Sequence, residues 1–178
     1  HSMGGKAAMA LALREPGLVA GLIVADIAPV DYAHSHEGYV AAMRSLDLSR
    51  VSRRSDADPM LAEAVPEPPL RAFLLQNLEL AGSEARWRLN LAAIAANMGN
   101  LLAFPEALRD RRYDGPALFL HGTASGYVTG AHHAAIRALF PAAEIRGLEG
   151  AGHWLHAEQP EAFREAVAAW LDRALAAG

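Results

Sequence analysis

Three polar side chains in this sequence have the types and the spacing that nucleophilic catalysis requires. Ser2 lies in the run HSMGGK at residues 1–6, which matches all but the first glycine of the G-x-S-x-G nucleophile elbow. Asp26 ends an apolar run, and His153 follows a glycine-rich turn near the C-terminus. A serine hydroxyl becomes a nucleophile when an imidazole takes its proton, and the imidazole needs a carboxylate to fix its tautomer. The order Ser2, Asp26, His153 therefore predicts a nucleophile, an acid and a base.

The acid is the one role for which the sequence offers more than one candidate residue. Its common place is the loop after the apolar run GPALFLHG at residues 115–122, but that loop has no carboxylate and has Ser125 where an aspartate is expected. The alternative position is the end of the preceding apolar run, where Asp26 lies. If Asp26 is not the acid, we would interpret it as a cap for the next turn. Asp31 is the fallback acid. We expect Ser125 to hydrogen-bond the carboxylate or the imidazole, its other interpretation being an ordinary turn serine.

An oxyanion hole needs two backbone N–H groups near the nucleophile. The N–H of Met3 is the first candidate, because it would begin a helix whose dipole favours negative charge there. The second donor is expected from a loop that precedes residue 1. The sequence thus predicts that a missing segment, or a second chain, supplies the N-terminal half of the fold.

Helices and buried strands must position these residues, and their pattern indicates an α/β fold. Continuous apolar runs bounded by turn residues are typical of central parallel strands. The closing helix has an apolar stripe made of Phe163, Val167, Trp170, Leu171 and Leu175. Predicted strands cover residues 18–25, 115–122 and 143–148, and predicted helices cover residues 3–13, 131–140 and 160–176.

The middle of the chain, residues 33–112, has a different character. It lacks a convincing buried strand and is too long for a crossover connection. We therefore predict an inserted helical cap at 33–112 and a core made of 1–32 and 113–178. Amphipathic helices are predicted at 38–46, 59–64, 69–81 and 84–98, with a polar loop at 47–58. Trp87, Arg88 and Asn90, on one cap helix, and Trp154, beside the base, are candidate pocket residues, with plain packing as the alternative.

Composition excludes several classes of function. The chain has 178 residues, a net charge of −4 and no cysteine, so it offers no thiolate nucleophile, disulfide or strongly basic nucleic-acid surface. No apolar run is long enough to span a membrane. Histidine pairs at His34-x-His36 and His132-His133 have no carboxylate nearby to complete a metal site. We predict no metal, no cofactor and a cytoplasmic location.

Four stretches, HSMGGK, VADIAPVDY, WRLNLAAI and GAGHWLHAEQPEAF, resemble the α/β-hydrolase superfamily. Within it, the resemblance is to the serine esterases of the YbfF-like and abhydrolase-domain-protein-11-like group. In that group the acid follows the earlier strand and a serine occupies the later position, which supports Asp26 and Ser125. The resemblance implies an α/β-hydrolase fold with an inserted cap, and hydrolysis of small carboxylic esters or thioesters through an acyl-serine, without a cofactor.

Two other functions fit the same fold. The chain could be a module that binds a small molecule without consuming it, although a pure binder has no need of an intact triad. A C–C bond hydrolase uses the same three residues and stays open. An epoxide hydrolase of this fold is disfavoured, because it would need an aspartate in place of Ser2.

Overall fold

A computed structural model describes residues 1–33, 36–82 and 84–176 of the chain. The chain forms two compact units, His1–Asp31 with Ala103–Gly178, and Tyr32–Leu102. The first unit has a parallel sheet with helices, and the second has helices with a small hairpin. The assignment of these segments to a hydrolase core and a cap stays a prediction.

The described residues form five strands and nine α-helices. The strands are β1 (Leu22–Ala25), β2 (Leu78–Ala81), β3 (Glu84–Trp87), β4 (Ala117–Gly122) and β5 (Ala143–Leu148). The α-helices are α1 (Met3–Arg14), α2 (Glu37–Ser45), α3 (Arg54–Leu61), α4 (Pro68–Leu75), α5 (Leu91–Ala96), α6 (Met98–Leu102), α7 (His133–Leu139), α8 (Leu155–Glu158) and α9 (Pro160–Ala176). Short 3-10 turns occupy Pro16–Leu18, Leu48–Arg50, Glu106–Leu108 and Gly130–His132.

The first unit is organised around a parallel sheet with the strand order β1-β4-β5. Ala25 is paired with Leu120, and Leu120 is paired with Arg146, so the three strands run together to one edge. Residues 117–120 of β4 are all buried, as expected for a central strand covered on both faces. Because parallel strands end at the same edge, the loops that follow β1, β4 and β5 are neighbours.

The closing helix α9 covers this sheet mainly through Trp170, which is buried with Leu118 and Leu120. Phe163 and Val167 pack against the same cluster. The predicted stripe is wrong at Leu171, which keeps 36% of its surface exposed. Successive residues of a helix differ by about 100° around its axis, so the residue after Trp170 turns away from the sheet. The side chain of Leu175, also predicted in the stripe, is outside the described part.

The second unit contains a hairpin where the sequence pattern predicted helices. Strands β2 and β3 pair antiparallel, with Leu78 opposite Trp87. Gly82, with φ +64°, lies between the strands in a conformation that glycine adopts readily. Burial alternates along β3, which is a period of two rather than 3.6. The predicted helices at 69–81 and 84–98 are therefore wrong over residues 78–81 and 84–87.

The polar segment 47–58, predicted as a loop, contains most of helix α3. The helix begins at Arg54 because the Asp56 carboxylate accepts hydrogen bonds from the N–H groups of Ser52 and Arg53, at 3.0 and 2.9 Å. An acidic residue in the first turn is a normal helix-start signal. The apolar residues Ala57 and Leu61 of α3 are fully buried in a local core.

In the first unit, β1 is shorter than the predicted strand at 18–25, because a 3-10 turn precedes it.

None of the helices in the described ranges has the length and apolar character needed to cross a membrane.

Candidate active site

Ser2 lies on a strained turn immediately before helix α1. Its backbone has φ 52° and ψ −128°, a combination that costs a non-glycine residue about 1–3 kcal/mol. The Ser2 N–H donates to the carbonyl of Ala25 at 3.1 Å, which ties the turn to the end of β1. A Cβ on Gly5 would lie 2.6 Å from the Ile27 side chain, so a glycine is needed for α1 to pack this closely on the residues after β1.

Asp26, the residue that follows β1, is completely buried. Its N–H donates to the carbonyl of Leu120 at 2.8 Å, and its Oδ1 accepts from the N–H of Gly122 at 3.1 Å. Its Oδ2 accepts from the hydroxyl of Ser125 at 2.5 Å. A buried carboxylate is tolerated when donors surround it, and the end of β4 and the loop after it supply one donor each. Among the described residues, Ser2 and Asp26 are the non-glycine residues with positive φ.

His153 lies between these two residues. Its Nδ1 is 2.7 Å from Asp26 Oδ2, and its Nε2 is 3.2 Å from Ser2 Oγ. A carboxylate accepts hydrogen bonds, so the first contact puts the proton of a neutral imidazole on Nδ1. The lone pair of Nε2 then faces the serine hydroxyl. This arrangement can accept a proton from Ser2 and can hold the resulting cation beside a carboxylate.

The loop that carries His153 is held by Glu158 of helix α8. The two carboxylate oxygens of Glu158 accept from the N–H groups of Gly152, at 2.6 Å, and Trp154, at 3.1 Å. These N–H groups flank His153, so one side chain fixes the backbone on both sides of the base. Sequence reasoning missed Glu158, although its place five residues after the histidine and at the end of a short helix was a usable signal.

Gly122 lets this loop lie against the end of β4. A Cβ at this position would collide with the backbone carbonyls of Ala151 and Gly152. The N–H of Ala124 then donates to the carbonyl of Ala151 at 2.9 Å. The sequence pattern marks Gly122 as the end of a strand but does not show this requirement, because it depends on contacts between residues about thirty positions apart.

Aromatic rings surround the base. Tyr127 is stacked on the His153 ring, with centroids 3.9 Å apart and planes inclined by 20°. His1 Nε2 lies 2.8 Å from the carbonyl oxygen of His153. The Trp154 ring lies edge-on to His153 at 5.7 Å and remains 39% exposed, which excludes the core position considered for it. Tyr127 was not singled out by the sequence analysis.

Asp31, the fallback acid, has other partners. Its carboxylate accepts from the N–H of Phe104 at 2.6 Å and from the Arg109 guanidinium at 2.8 Å. The Phe104 hydrogen bond, together with Arg109, holds the pKa of Asp31 below its ordinary value. Close by, Lys6 donates to the carbonyl of Ala103 at 3.0 Å, and burial lowers the pKa of Lys6. Asp26, and not Asp31, is the carboxylate in contact with His153.

Met3 begins helix α1, and the first N–H groups of a helix have no acceptor within the helix.

The pocket candidates of the second unit do not share a helix as predicted: Trp87 belongs to β3, and Asn90 caps α5 by accepting from the N–H of Ala93 at 3.0 Å. For the metal sites considered, His34 is outside the described residues. Within the described ranges, no three histidine or carboxylate side chains are grouped in a way that could hold a metal.

Comparison with known proteins places this chain in a family. The sequence model of the Alpha/beta hydrolase family matches residues 1–166. The sn-1-specific diacylglycerol lipase ABHD11 of Mus musculus is 42% identical over 177 residues, which cover 96% of this chain and 57% of that protein. Esterase YbfF of Escherichia coli (strain K12) is 32% identical over 173 residues, covering 97% of this chain and 65% of that protein.

A solved structure, that of a marine microorganism esterase, superimposes with a TM-score of 0.91 at 38% identity. The match covers 96% of this chain and 68% of that chain. The chain thus spans a little over half the length of its ABHD11 relative, where 57% is covered. The family match extends over most of the sequence, and the structure has the parallel sheet with flanking helices that this family name describes. This chain therefore belongs to the alpha/beta hydrolase family.

Proposed function

We propose that this chain carries the nucleophile, base and acid of a serine esterase or thioesterase. The observation that carries the proposal is the unbroken chain of contacts from Ser2 Oγ to His153 Nε2, at 3.2 Å, and from His153 Nδ1 to Asp26 Oδ2, at 2.7 Å. Side chains from the two ends of the sequence meet there, and their types fit the three roles of acyl transfer. Strain at Ser2 adds support, because strained backbone is concentrated at functional sites.

In the proposed reaction, Ser2 Oγ attacks the acyl carbon while His153 Nε2 takes the hydroxyl proton. The tetrahedral intermediate collapses, the bond to the alcohol or thiol breaks, and His153 returns the proton to that leaving group. Water then attacks the acyl-serine while His153 takes its proton; the ester bond to Ser2 Oγ breaks, His153 returns the proton to Ser2, and the carboxylic acid is released. Asp26 fixes the tautomer of His153 throughout, and Ser125 supports Asp26 through its hydroxyl.

The developing oxyanion needs backbone donors. We assign one of them to the N–H of Met3, which points from the start of α1 where the helix dipole favours negative charge. The second donor is proposed to come from another segment of the protein or from a second chain. The names of the relatives, diacylglycerol lipase and esterase, support a small-molecule ester as substrate. The expected cytoplasmic location stays a prediction.

Labelling of the full-length protein with a fluorophosphonate tests the assignment, because this probe reacts with activated serines. Ser2→Ala is expected to abolish both labelling and hydrolysis of short-chain p-nitrophenyl esters. The matched control is Ser49→Ala, since Ser49 is an exposed serine whose hydroxyl is bonded to Asp47. If Ser2→Ala labels as well as the wild type, the proposal is wrong. Labelling of the wild type without turnover of any ester or thioester would favour the binding module instead.

A further inference from the structure

The loop between β4 and α7 contacts both the acid and the base. Ser125 donates to Asp26, and the N–H of Tyr127 donates to Ser125 Oγ at 3.2 Å. Two residues beyond Ser125, the Tyr127 ring lies parallel to the His153 imidazole, with a centroid separation of 3.9 Å and an interplanar angle of 20°. Val128, which follows, is buried with 2% exposure and anchors the loop. A single short segment thus places one group on the acid and another on the imidazole face of the base.

These two contacts constrain different motions of the base. Hydrogen bonds to Ser2 and Asp26 act at the ring nitrogens, in the plane of the imidazole, and leave the ring able to tilt out of that plane. A flat ring on its face opposes that tilt. The face of a phenol ring also carries negative quadrupole charge, which attracts a cation. The imidazole is a cation only after it has taken the serine proton, so this attraction is stronger in the transition state than in the resting enzyme.

We propose that Tyr127 is a positioning residue for acyl transfer: its ring holds the His153 imidazole in the plane that faces Ser2 and Asp26, and stabilises the imidazolium formed during catalysis. The inference rests on the proposed function, because it assumes that His153 is the base. It depends on the aromatic face of Tyr127 and not on its hydroxyl.

Four variants of the full-length protein separate these features. Tyr127→Leu and Tyr127→Gln remove the aromatic face, whereas Tyr127→Phe and Tyr127→Trp keep one. The N–H that donates to Ser125 remains in all four. The Leu and Gln variants are expected to lose about 2- to 30-fold in kcat, the range for a cation on an aromatic face, with KM changed less than twofold. The Phe variant is expected to recover most of that loss.

A matched control removes another stacked tyrosine. Tyr39→Leu breaks a tyrosine–histidine stack in the second unit, where Tyr39 lies on His36 with planes inclined by 18°. It is expected to leave kcat within twofold of the wild type. The rate constant of fluorophosphonate labelling at saturating probe should fall in parallel with kcat in Tyr127→Leu, since both reactions require the base to take the proton from Ser2.

The outcomes distinguish the two proposals. If Ser2→Ala hydrolyses esters like the wild type, the proposed function fails. If Ser2→Ala is inactive while Tyr127→Leu and Tyr127→Gln keep wild-type kcat, only the inference about Tyr127 fails. A loss that Tyr127→Phe shares equally would assign the effect to the hydroxyl, and would also overturn it. Unfolding of both Leu and Gln variants in thermal melts would show a purely structural role, with the same consequence.

Discussion

Replacing Asp26 by asparagine tests the acid assignment with almost no change in shape. In the structure Oδ1 accepts from the N–H of Gly122, and Oδ2 accepts from Ser125 and from His153. An asparagine has one acceptor and one donor group in these two places, so its orientation decides the outcome. Because Asp26 is completely buried, water cannot relieve a wrong choice.

One orientation satisfies Gly122 and His153, and only the proton of the Ser125 hydroxyl loses its acceptor. With the amide oxygen facing Gly122, the two N–H bonds of Nδ2 can be accepted by Ser125 Oγ and by His153 Nδ1. The reverse orientation makes Nδ2 face the Gly122 N–H, which leaves buried donors without acceptors at a cost of about 1–3 kcal/mol. The first orientation therefore dominates. It requires the other tautomer of His153, in which Nε2 carries the proton and cannot accept one from Ser2.

We therefore expect Asp26→Asn to be folded and nearly inactive. A wrong tautomer in a serine protease lowers kcat by about 10⁴, and a similar loss here corresponds to about 5 kcal/mol of transition-state free energy. The free energy of unfolding, measured in urea, should change by no more than about 2 kcal/mol, because only the proton of the part-buried Ser125 hydroxyl loses its acceptor. Ester hydrolysis at saturating substrate gives kcat on the same preparation.

Asp31→Asn is the matched control, since it makes the same chemical change at the carboxylate bonded to Phe104 and Arg109. It should retain kcat within about twofold of the wild type, as expected for a group away from the chemistry. An Asp26→Asn variant that keeps more than about a tenth of wild-type kcat would refute the assignment of Asp26 as the acid. An inactive Asp31→Asn beside an active Asp26→Asn would move the acid role to Asp31.

Three further predictions follow from single contacts. Ser125→Ala should lower kcat by about 10- to 100-fold, because it removes a hydrogen bond to the buried Asp26 carboxylate, and steady-state kinetics would measure this. Gly122→Ala should destabilise the fold by about 1–3 kcal/mol in urea denaturation and reduce activity with it, because the new methyl group meets backbone carbonyls. Asp31, whose pKa is lowered on folding, should stabilise the protein at pH 7. That stability is present above the unfolded pKa of about 3.9 and is lost as the pH falls through the lower folded value. Because this side chain is 60% exposed, Asp31→Asn should cost only about 1 kcal/mol at pH 7, and progressively less below pH 4, in urea titrations at several pH values.

Each of these has a contrary outcome. Unchanged kcat in Ser125→Ala would mean that Gly122 and His153 hold Asp26 without help. Wild-type stability in Gly122→Ala would mean that the loop carrying His153 shifts at no cost. If the difference in unfolding free energy between Asp31→Asn and the wild type is constant from pH 7 to pH 3, the ionised carboxylate of Asp31 does not cause that difference.

The sequence predicted the parallel core well because the signals there are local and strong. Residues 143–148 form a strand and residues 160–176 a helix, as their apolar runs and periodicity indicated. The second unit was predicted poorly for a physical reason. Its hairpin strands have four residues each, too few for a period of two to be distinguished from helical spacing. Contacts across the fold stabilise them, such as the bond from Trp87 Nε1 to the carbonyl of Met43.

The residues of the candidate site also fall into those that the sequence predicted and those that it did not. Ser2, Asp26, His153 and Ser125 were chosen from residue type, position at the end of a strand and family resemblance, and the structure brings all four together. Their catalytic roles stay predictions. Two supporting groups were missed: Glu158 holds the backbone around His153, and Tyr127 stacks on its ring. No local pattern marks Tyr127 as a partner of a particular histidine, whereas the short spacing from His153 to Glu158 was a usable signal.

The position of the acid on the first strand has a structural explanation. Strands β1 and β4 are neighbours, and the register that pairs Ala25 with Leu120 puts the residue after β1 beside the loop after β4. A carboxylate on either strand end can therefore reach the same imidazole nitrogen. When it is on β1, the place after β4 becomes free for a donor, and Ser125 fills it. Asp26 reaches this position only with φ 50°, so the strain at the acid, like that at Ser2, accompanies the placement of a polar group above the sheet edge. The serine after β4 thus compensates for burying the carboxylate one strand away.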